Sequence, residues 1–133
     1  MNPPDSPSPS MLFRCLQSFG PAFAGLRSLF ATQANARVHL VFAAWAVAMG
    51  FLLKITLGEW IAVLLCIALV FTAEALNTAL EMLADAVHPE QHPLVGRAKD
   101  CAAAAVLVCA LASAVIGAIL FGPRLWALLA SWI

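Results

Sequence analysis

The sequence predicts an all-α membrane protein, with three spanning helices behind an amphipathic helix that lies on the membrane surface. Three observations carry this reading. The 133 residues are 63% hydrophobic and 11% charged, against roughly half apolar and a quarter charged in average soluble proteins. Three apolar stretches each come close to the ~20 residues a bilayer core requires. A fourth stretch, ahead of them, is apolar on one face only. A chain this short has too little interior to hide so much apolar surface from water, and one domain is the expectation for its length.

The elements follow in chain order. Residues 1–10, MNPPDSPSPS, are rich in Pro and Ser and lack an apolar or basic block. They read as a short disordered tail and not as a secretory signal. From 11 to 37, Leu12, Leu16, Phe19, Phe23, Leu26 and Phe30 recur at spacings of three and four, with Arg14, Gln17 and Arg27 between them. That period is an amphipathic interfacial arm, and Gly20-Pro21 offers a break point within it. Residues 38–123 form the membrane domain. The first span runs from Val38 to about Leu57, with Lys54 near its end snorkelling to the headgroups. A turn at Thr56–Glu59 leads to the second span, which begins at the interfacial Trp60 and reaches Leu80 or beyond. The third runs from about Ala98 to Phe121, is rich in Ala, and ends at Gly122-Pro123; its small residues suit close helix packing in lipid. Residues 124–133, with Leu125, Trp126, Leu128, Leu129 and Trp132, read as a short interfacial C-terminal helix.

Charge adds orientation. Seven basic and seven acidic residues cancel, so nothing points to a nucleic-acid partner. Arg14, Arg27 and Arg37 precede the first span, and Arg97 and Lys99 lie between the second and third, against Lys54 and Arg124 on the other side. Basic residues favour the cytoplasmic face. The N-terminus and second loop are therefore expected inside and the C-terminus outside. Cys15, Cys66, Cys101 and Cys109 form no CxxC pair and read as small buried hydrophobes, not as a metal or disulfide site.

The second span carries the chemistry. Within TAEALNTALEMLADAV, residues Glu74, Asn77, Glu81 and Asp85 stand at i, i+3, i+7 and i+11. At 3.6 residues per turn they fall within about 80° of arc, opposite Ala73, Leu76, Leu80, Leu83 and Ala84. A crossing of about twenty residues from Trp60 ends near Ala79. Glu81 and Asp85 then stand at or above the cytoplasmic interface, with Glu74 roughly 7 Å deeper. An ionisable group inside a span costs about 2.5–3.5 kcal/mol on insertion scales. The loop HPEQHPLVGRAKD adds His88, Glu90, His92, Arg97, Lys99 and Asp100 at the same level. Acids that could hold Mg²⁺ through substrate phosphates, bases for phosphate, and an embedded carboxylate able to take a hydroxyl proton thus converge at one depth. Neither a P-loop nor the kinase glycine and HRD motifs occur.

EALNTALEMLAD, HPEQHPLVGRAKD and AAAAVLV together resemble the bacterial integral-membrane diacylglycerol kinase family, which includes the undecaprenol kinases. The arm is similar too, with Arg14, FGPAFAGLRSLF and QANARVH. The resemblance covers about Arg14 to Phe121, and the ExxNxxxExxxD stripe followed by GRAKD is its specific signature. It implies a homotrimeric inner-membrane lipid kinase that uses ATP and Mg²⁺ on the hydroxyl of diacylglycerol or undecaprenol. On matched positions, Glu74 is the expected base with Asn77 beside it, and Glu81 a metal ligand. ATP contacts are expected at Arg14, Gln33, Glu81, Glu90, Gln91, His92, Lys99 and Asp100. Lipid-substrate contacts are expected at Glu74, Arg27, Arg37 and Ala103. Gln33 takes the second metal position, where the best-known diacylglycerol kinases have Glu, and a neutral amide is a weaker Mg²⁺ ligand. QxNxRxH, from Gln33 to His39, looks more like the undecaprenol kinase branch. Two other readings of the stripe stand beside this one. A proton-coupled transporter would use a lone intramembrane Glu, and a non-enzymatic assembly subunit would use the stripe as interhelical hydrogen-bond glue.

Overall fold

A computed structural model describes residues 11–132 except Pro89 and Gln91, with the side chains of 11–16 and 18 also outside the description. The expected disordered tail lies outside the described residues. Four helices follow in order: α1 (Met11–Thr32), α2 (Ala34–Leu52), α3 (Leu57–Val87) and α4 (Pro93–Ala130). The last three are long and apolar enough to cross a membrane. At 1.5 Å per residue, the 19 residues of α2 match a hydrocarbon core of about 30 Å, whereas α3 and α4, at 31 and 38 residues, must extend well beyond it. α3 packs most extensively on α4.

Several boundaries differ from the sequence expectation. Gly20-Pro21 does not interrupt α1, because proline's fixed φ fits a helix. Its lost hydrogen bond falls on Gln17, which is exposed and can turn to water. The chain breaks instead at Gln33, in an extended conformation (φ −98°, ψ 114°), so residues 34–37 of the expected arm belong to the first spanning helix. Phe19, Phe23 and Leu26 are exposed while Leu29 is buried, and Phe30 meets Phe71 edge-on at 5.5 Å. The arm's last turn is thereby fastened to α3.

Lys54 is not helical. It takes φ 49°, the left-handed conformation usually given to glycine. Its N–H donates to the Phe51 carbonyl at 3.3 Å, and Ile55 N–H donates to the Gly50 carbonyl at 3.1 Å. This bond pair closes the C-terminus of α2 as a Schellman motif. Thr56 then opens α3 with a capping box: its hydroxyl accepts from Glu59 N–H at 3.4 Å, and its own N–H donates to Glu59 Oε2 at 2.7 Å. The core cluster of Ile55, Val63 and Phe121, backed by Trp60 and Met49, sits at this end. Trp45 packs edge-on against Phe121 at 6.0 Å.

Among the described residues, the expected C-terminal helix is not separate, since α4 runs through Pro123 to Ala130. Pro123 leaves the Ile119 carbonyl without its helical donor, and Arg124 braces the adjacent turn. Its guanidinium donates to the Leu120 carbonyl at 2.9 Å and reaches both oxygens of Glu59 at 2.8 and 3.0 Å. Among the cysteines, Cys66 and Cys109 are half-buried and Cys101 is exposed, so their expected burial is only partial in a single chain. Large apolar side chains along all three long helices, Phe42, Leu69 and Leu107 among them, also face outward, as lipid-facing or chain-facing surfaces do.

Candidate active site

The C-terminal half of α3 turns its polar stripe inward and its apolar face outward. Leu76 and Leu83 are 67% and 64% exposed, whereas Glu74 and Thr78 are 3% and 5% exposed. Exposure rises along the stripe: Glu74 is buried, Asn77 and Glu81 are half-buried, and Asp85 is exposed. A 3.6-residue repeat alone produces this alignment. The fold adds the neighbours.

At the deep end, His39 of α2 places Nε2 3.3 Å from Glu74 Oε1. The approach is within ion-pairing range but is not aligned as a hydrogen bond, so Oε1 remains a buried acceptor without a hydrogen-bond partner among the described residues. Asn77 Oδ1 and Thr78 Oγ1 share that condition. Buried polar atoms are rarely left so unless they serve a function or receive an occupant. One turn higher, Asn77 Nδ2 donates to Glu81 Oε1 at 3.0 Å, which fixes that carboxylate and leaves its second oxygen for another ligand. One further turn up, Lys99 of α4 pairs with Asp85. Lys99 therefore joins the stripe at Asp85, not at Glu81.

Above this level, α4 begins where His92 caps it. His92 Nδ1 accepts from Leu94 N–H at 3.2 Å, and Pro93 follows in the first turn, where its missing N–H costs nothing. The His88 and His92 rings lie 5.2 Å apart. A surface cavity of about 540 Å³ is lined by Asp85, His88, Glu90, His92, Gly96 and Lys99. Its walls mix acids, imidazoles and an ammonium.

The expected site residues thus separate into groups. Asn77 and Glu81 are in contact, and Lys99, Glu90 and His92 share a cavity. Asp100 and Ala103 are exposed on α4, Arg37 on α2 and Arg27 on α1. Gln33 is half-buried at the α1–α2 break, and no hydrogen bond joins it to Glu81 among the described residues. Gln91 and the Arg14 side chain lie outside the described residues. His39 and Thr78 are the additions. Thr78 lies one turn from Glu74 and was readable from spacing, but a hydroxyl carries little signal. His39 is thirty-five residues upstream, and its place at the end of QxNxRxH gave no sign that it meets Glu74.

No group of three or more His, Cys, Asp or Glu side chains forms a protein-only cation cage among the described residues. Mg²⁺ commonly takes one or two carboxylates and completes its shell with water and substrate phosphates. The oriented Glu81 carboxylate fits that requirement.

Comparison with known proteins places the arrangement. The prokaryotic diacylglycerol kinase family matches residues 20–121. The chain is 38% identical over 114 residues to an undecaprenol kinase of Bacillus subtilis, covering 86% of this chain and 93% of that protein. It is 39% identical over 115 residues to a diacylglycerol kinase of Synechocystis, covering 86% of this chain and 66% of that protein. Against a diacylglycerol kinase of Escherichia coli the identity is 31% over 107 residues, with 80% and 88% covered.

Proposed function

This chain belongs to the prokaryotic diacylglycerol kinase family and is a bacterial inner-membrane lipid kinase, and we propose that it transfers the γ-phosphoryl group of ATP to the hydroxyl of a membrane lipid alcohol. The alcohol belongs to the class shared by diacylglycerol and undecaprenol. One observation carries the reading: a buried carboxylate, Glu74, at the deep end of a stripe that climbs to the Lys99–Asp85 pair.

In this reading, the lipid hydroxyl reaches Glu74 laterally from the bilayer. Glu74 takes the hydroxyl proton as the alcohol oxygen attacks the γ-phosphorus, and the bond from that phosphorus to the ADP oxygen breaks. Asn77 holds Glu81 in place. Glu81, with Gln33 as a second candidate ligand, would hold Mg²⁺, which when bound neutralises phosphate charge. Lys99 and Asp100 contact the nucleotide, and the cavity between Glu90 and Lys99 receives its distal part, with Arg14 and Gln91 expected nearby. Arg27, Arg37 and Ala103 flank the lipid. Positioning and electrostatics supply most of the acceleration, as phosphoryl transfer requires.

Orientation supports a cytoplasmic nucleotide: five basic residues on the side of the N-terminus and the α3–α4 loop against two on the other. The C-terminus is then outside. A homotrimer completes the proposal, because three spans leave much apolar surface uncovered and a neighbouring copy can shield Glu74 from lipid.

The test offers diacylglycerol and undecaprenol side by side to the purified protein with labelled ATP and Mg²⁺. Label on either lipid supports the reading and identifies the preferred alcohol. No label on either, with the protein folded and oligomeric, overturns it. Proton-driven flux in liposomes without ATP consumption would favour the transporter reading.

A further inference from the structure

Glu74 is surrounded more closely than the sequence suggests. It is 3% exposed, and burying a carboxylate without a partner is costly. Among the described residues, His39 is the only basic side chain within ion-pairing distance of it. The other two ion pairs occupy Lys99 with Asp85 and Arg124 with Glu59. His39 also lines an apolar cleft of about 600 Å³ between α2, α3 and α4, where Phe42, Ala46, Val70 and Gly117 are among the walls and His39 is the only ionisable nitrogen. Apolar walls leave the imidazole few competing partners and strengthen its interaction with the carboxylate.

Resting on the assignment of Glu74 as the base, we infer that His39 is its positioning residue: the imidazole Nε2–H is directed at Oε1, holding that oxygen and leaving Oε2 to face the lipid hydroxyl. The 3.3 Å approach already puts the two atoms within hydrogen-bonding distance. Three consequences follow. His39 acts on the reaction rate and not on nucleotide binding, since the nucleotide cavity begins at Asp85, about three turns further along α3. Its useful feature is a donor at the reach of Nε2. Its effect passes through Glu74 and vanishes when Glu74 cannot act as a base.

The experiment compares His39→Leu, His39→Asn and His39→Gln in the full-length protein, each also in a Glu74→Gln background. The readouts are kcat, KM for ATP, oligomeric state in detergent and helicity. Glutamine extends its amide to about the Nε2 position, whereas asparagine stops short of it. A charge-assisted hydrogen bond of ordinary strength sets the scale at roughly tenfold to a hundredfold. The expected result is a fall in kcat of that size for Leu and Asn, recovery of most of it by Gln, and unchanged KM for ATP. In the Glu74→Gln background the three variants should be equal, as coupled residues are non-additive.

If the Leu variant fails to assemble, the Asn and Gln pair carries the comparison alone. Equal kcat in Asn and Gln, or an effect that persists undiminished in the Glu74→Gln background, overturns the inference. So does wild-type kcat in all three His39 variants. A Glu74→Gln protein with full activity would instead remove the base assignment itself, so the two failures are distinguishable.

Discussion

The two ends of α3 are built on opposite terms. At its N-terminus, Glu59 is consumed by structure: Thr56 and Arg124 both bond to its carboxylate, a capping box closes the helix, and Trp60 and Ile55 press on Gly50 so tightly that an added Cβ would stand 2.8 Å from the indole ring. Fifteen residues on, Glu74 is more deeply buried yet keeps an oxygen without a hydrogen bond among the described residues, as do Asn77 and Thr78. One end spends its polar groups on holding helices together, and the other keeps acceptors in hand. The contrast teaches that a carboxylate in a membrane helix signals function through what remains unsatisfied, since both glutamates meet a basic partner.

Changing Glu74 to Gln should break the contrast most severely. The amide keeps shape and hydrogen-bonding capacity but cannot take a proton, so kcat for lipid phosphorylation is expected to fall about 10²-fold or more. Thermal unfolding in detergent should show little loss of stability, because the amide keeps the shape and is cheaper to bury than a carboxylate. Activity close to wild type would return the stripe to a purely structural role. Next in size is Asn77→Ala. Asn77 orients Glu81 through a 3.0 Å bond, and loss of such an outer partner costs roughly 10–100-fold in metal affinity or activity. The Mg²⁺ concentration for half-maximal activity should rise accordingly, and an unchanged Mg²⁺ titration would separate Asn77 from the metal.

The closed end should respond in stability rather than in rate. Gly50→Ala places a methyl 2.8–2.9 Å from the Trp60 ring and 3.1 Å from Ile55 Cδ1. Overpacking of this kind costs about 1–3 kcal/mol, with the low end reached if the indole tilts away. The expected outcome is a lower unfolding temperature with kcat per folded protein unchanged. A loss of kcat without a loss of stability would mean that the two ends of α3 are coupled, and the contrast between them would fail.

Most of this arrangement was legible in the sequence because helical periodicity is a strong signal. The stripe at Glu74, Asn77, Glu81 and Asp85 needed only a period of 3.6, and the three apolar spans needed only length. What stayed illegible depended on tertiary context. Pro21 and Pro123 look like helix ends, yet φ near −65° continues a helix wherever its surroundings tolerate the one lost hydrogen bond. Lys54 hid a helix terminus because a lysine occupies the left-handed position where glycine is usual. His39 could not be matched to Glu74 by any local spacing, since the pairing is made by the α2–α3 packing alone. The same is true of Lys99 with Asp85: both residues were in view, but the turn at which α4 meets the stripe was not.

The smallest expected effect bears on Gln33, which joins the arm to the open end. It caps α2 with its backbone and makes no side-chain cap bond, so its amide is not needed for the helix start. Phe30, one turn before it, is fastened to Phe71, one turn before Glu74, which holds this break near the stripe. If Gln33 contributes an oxygen to Mg²⁺, replacing its amide by the carboxylate of Glu strengthens a weak ligand, because hard cations favour charged oxygen donors. Half-saturating Mg²⁺ should then drop by a few-fold, with the unfolding temperature unchanged. If instead Gln33 only ends one helix and begins another, Gln33→Glu leaves the Mg²⁺ titration where it was. In that case the metal side of the open end rests on Glu81 and the substrate phosphates.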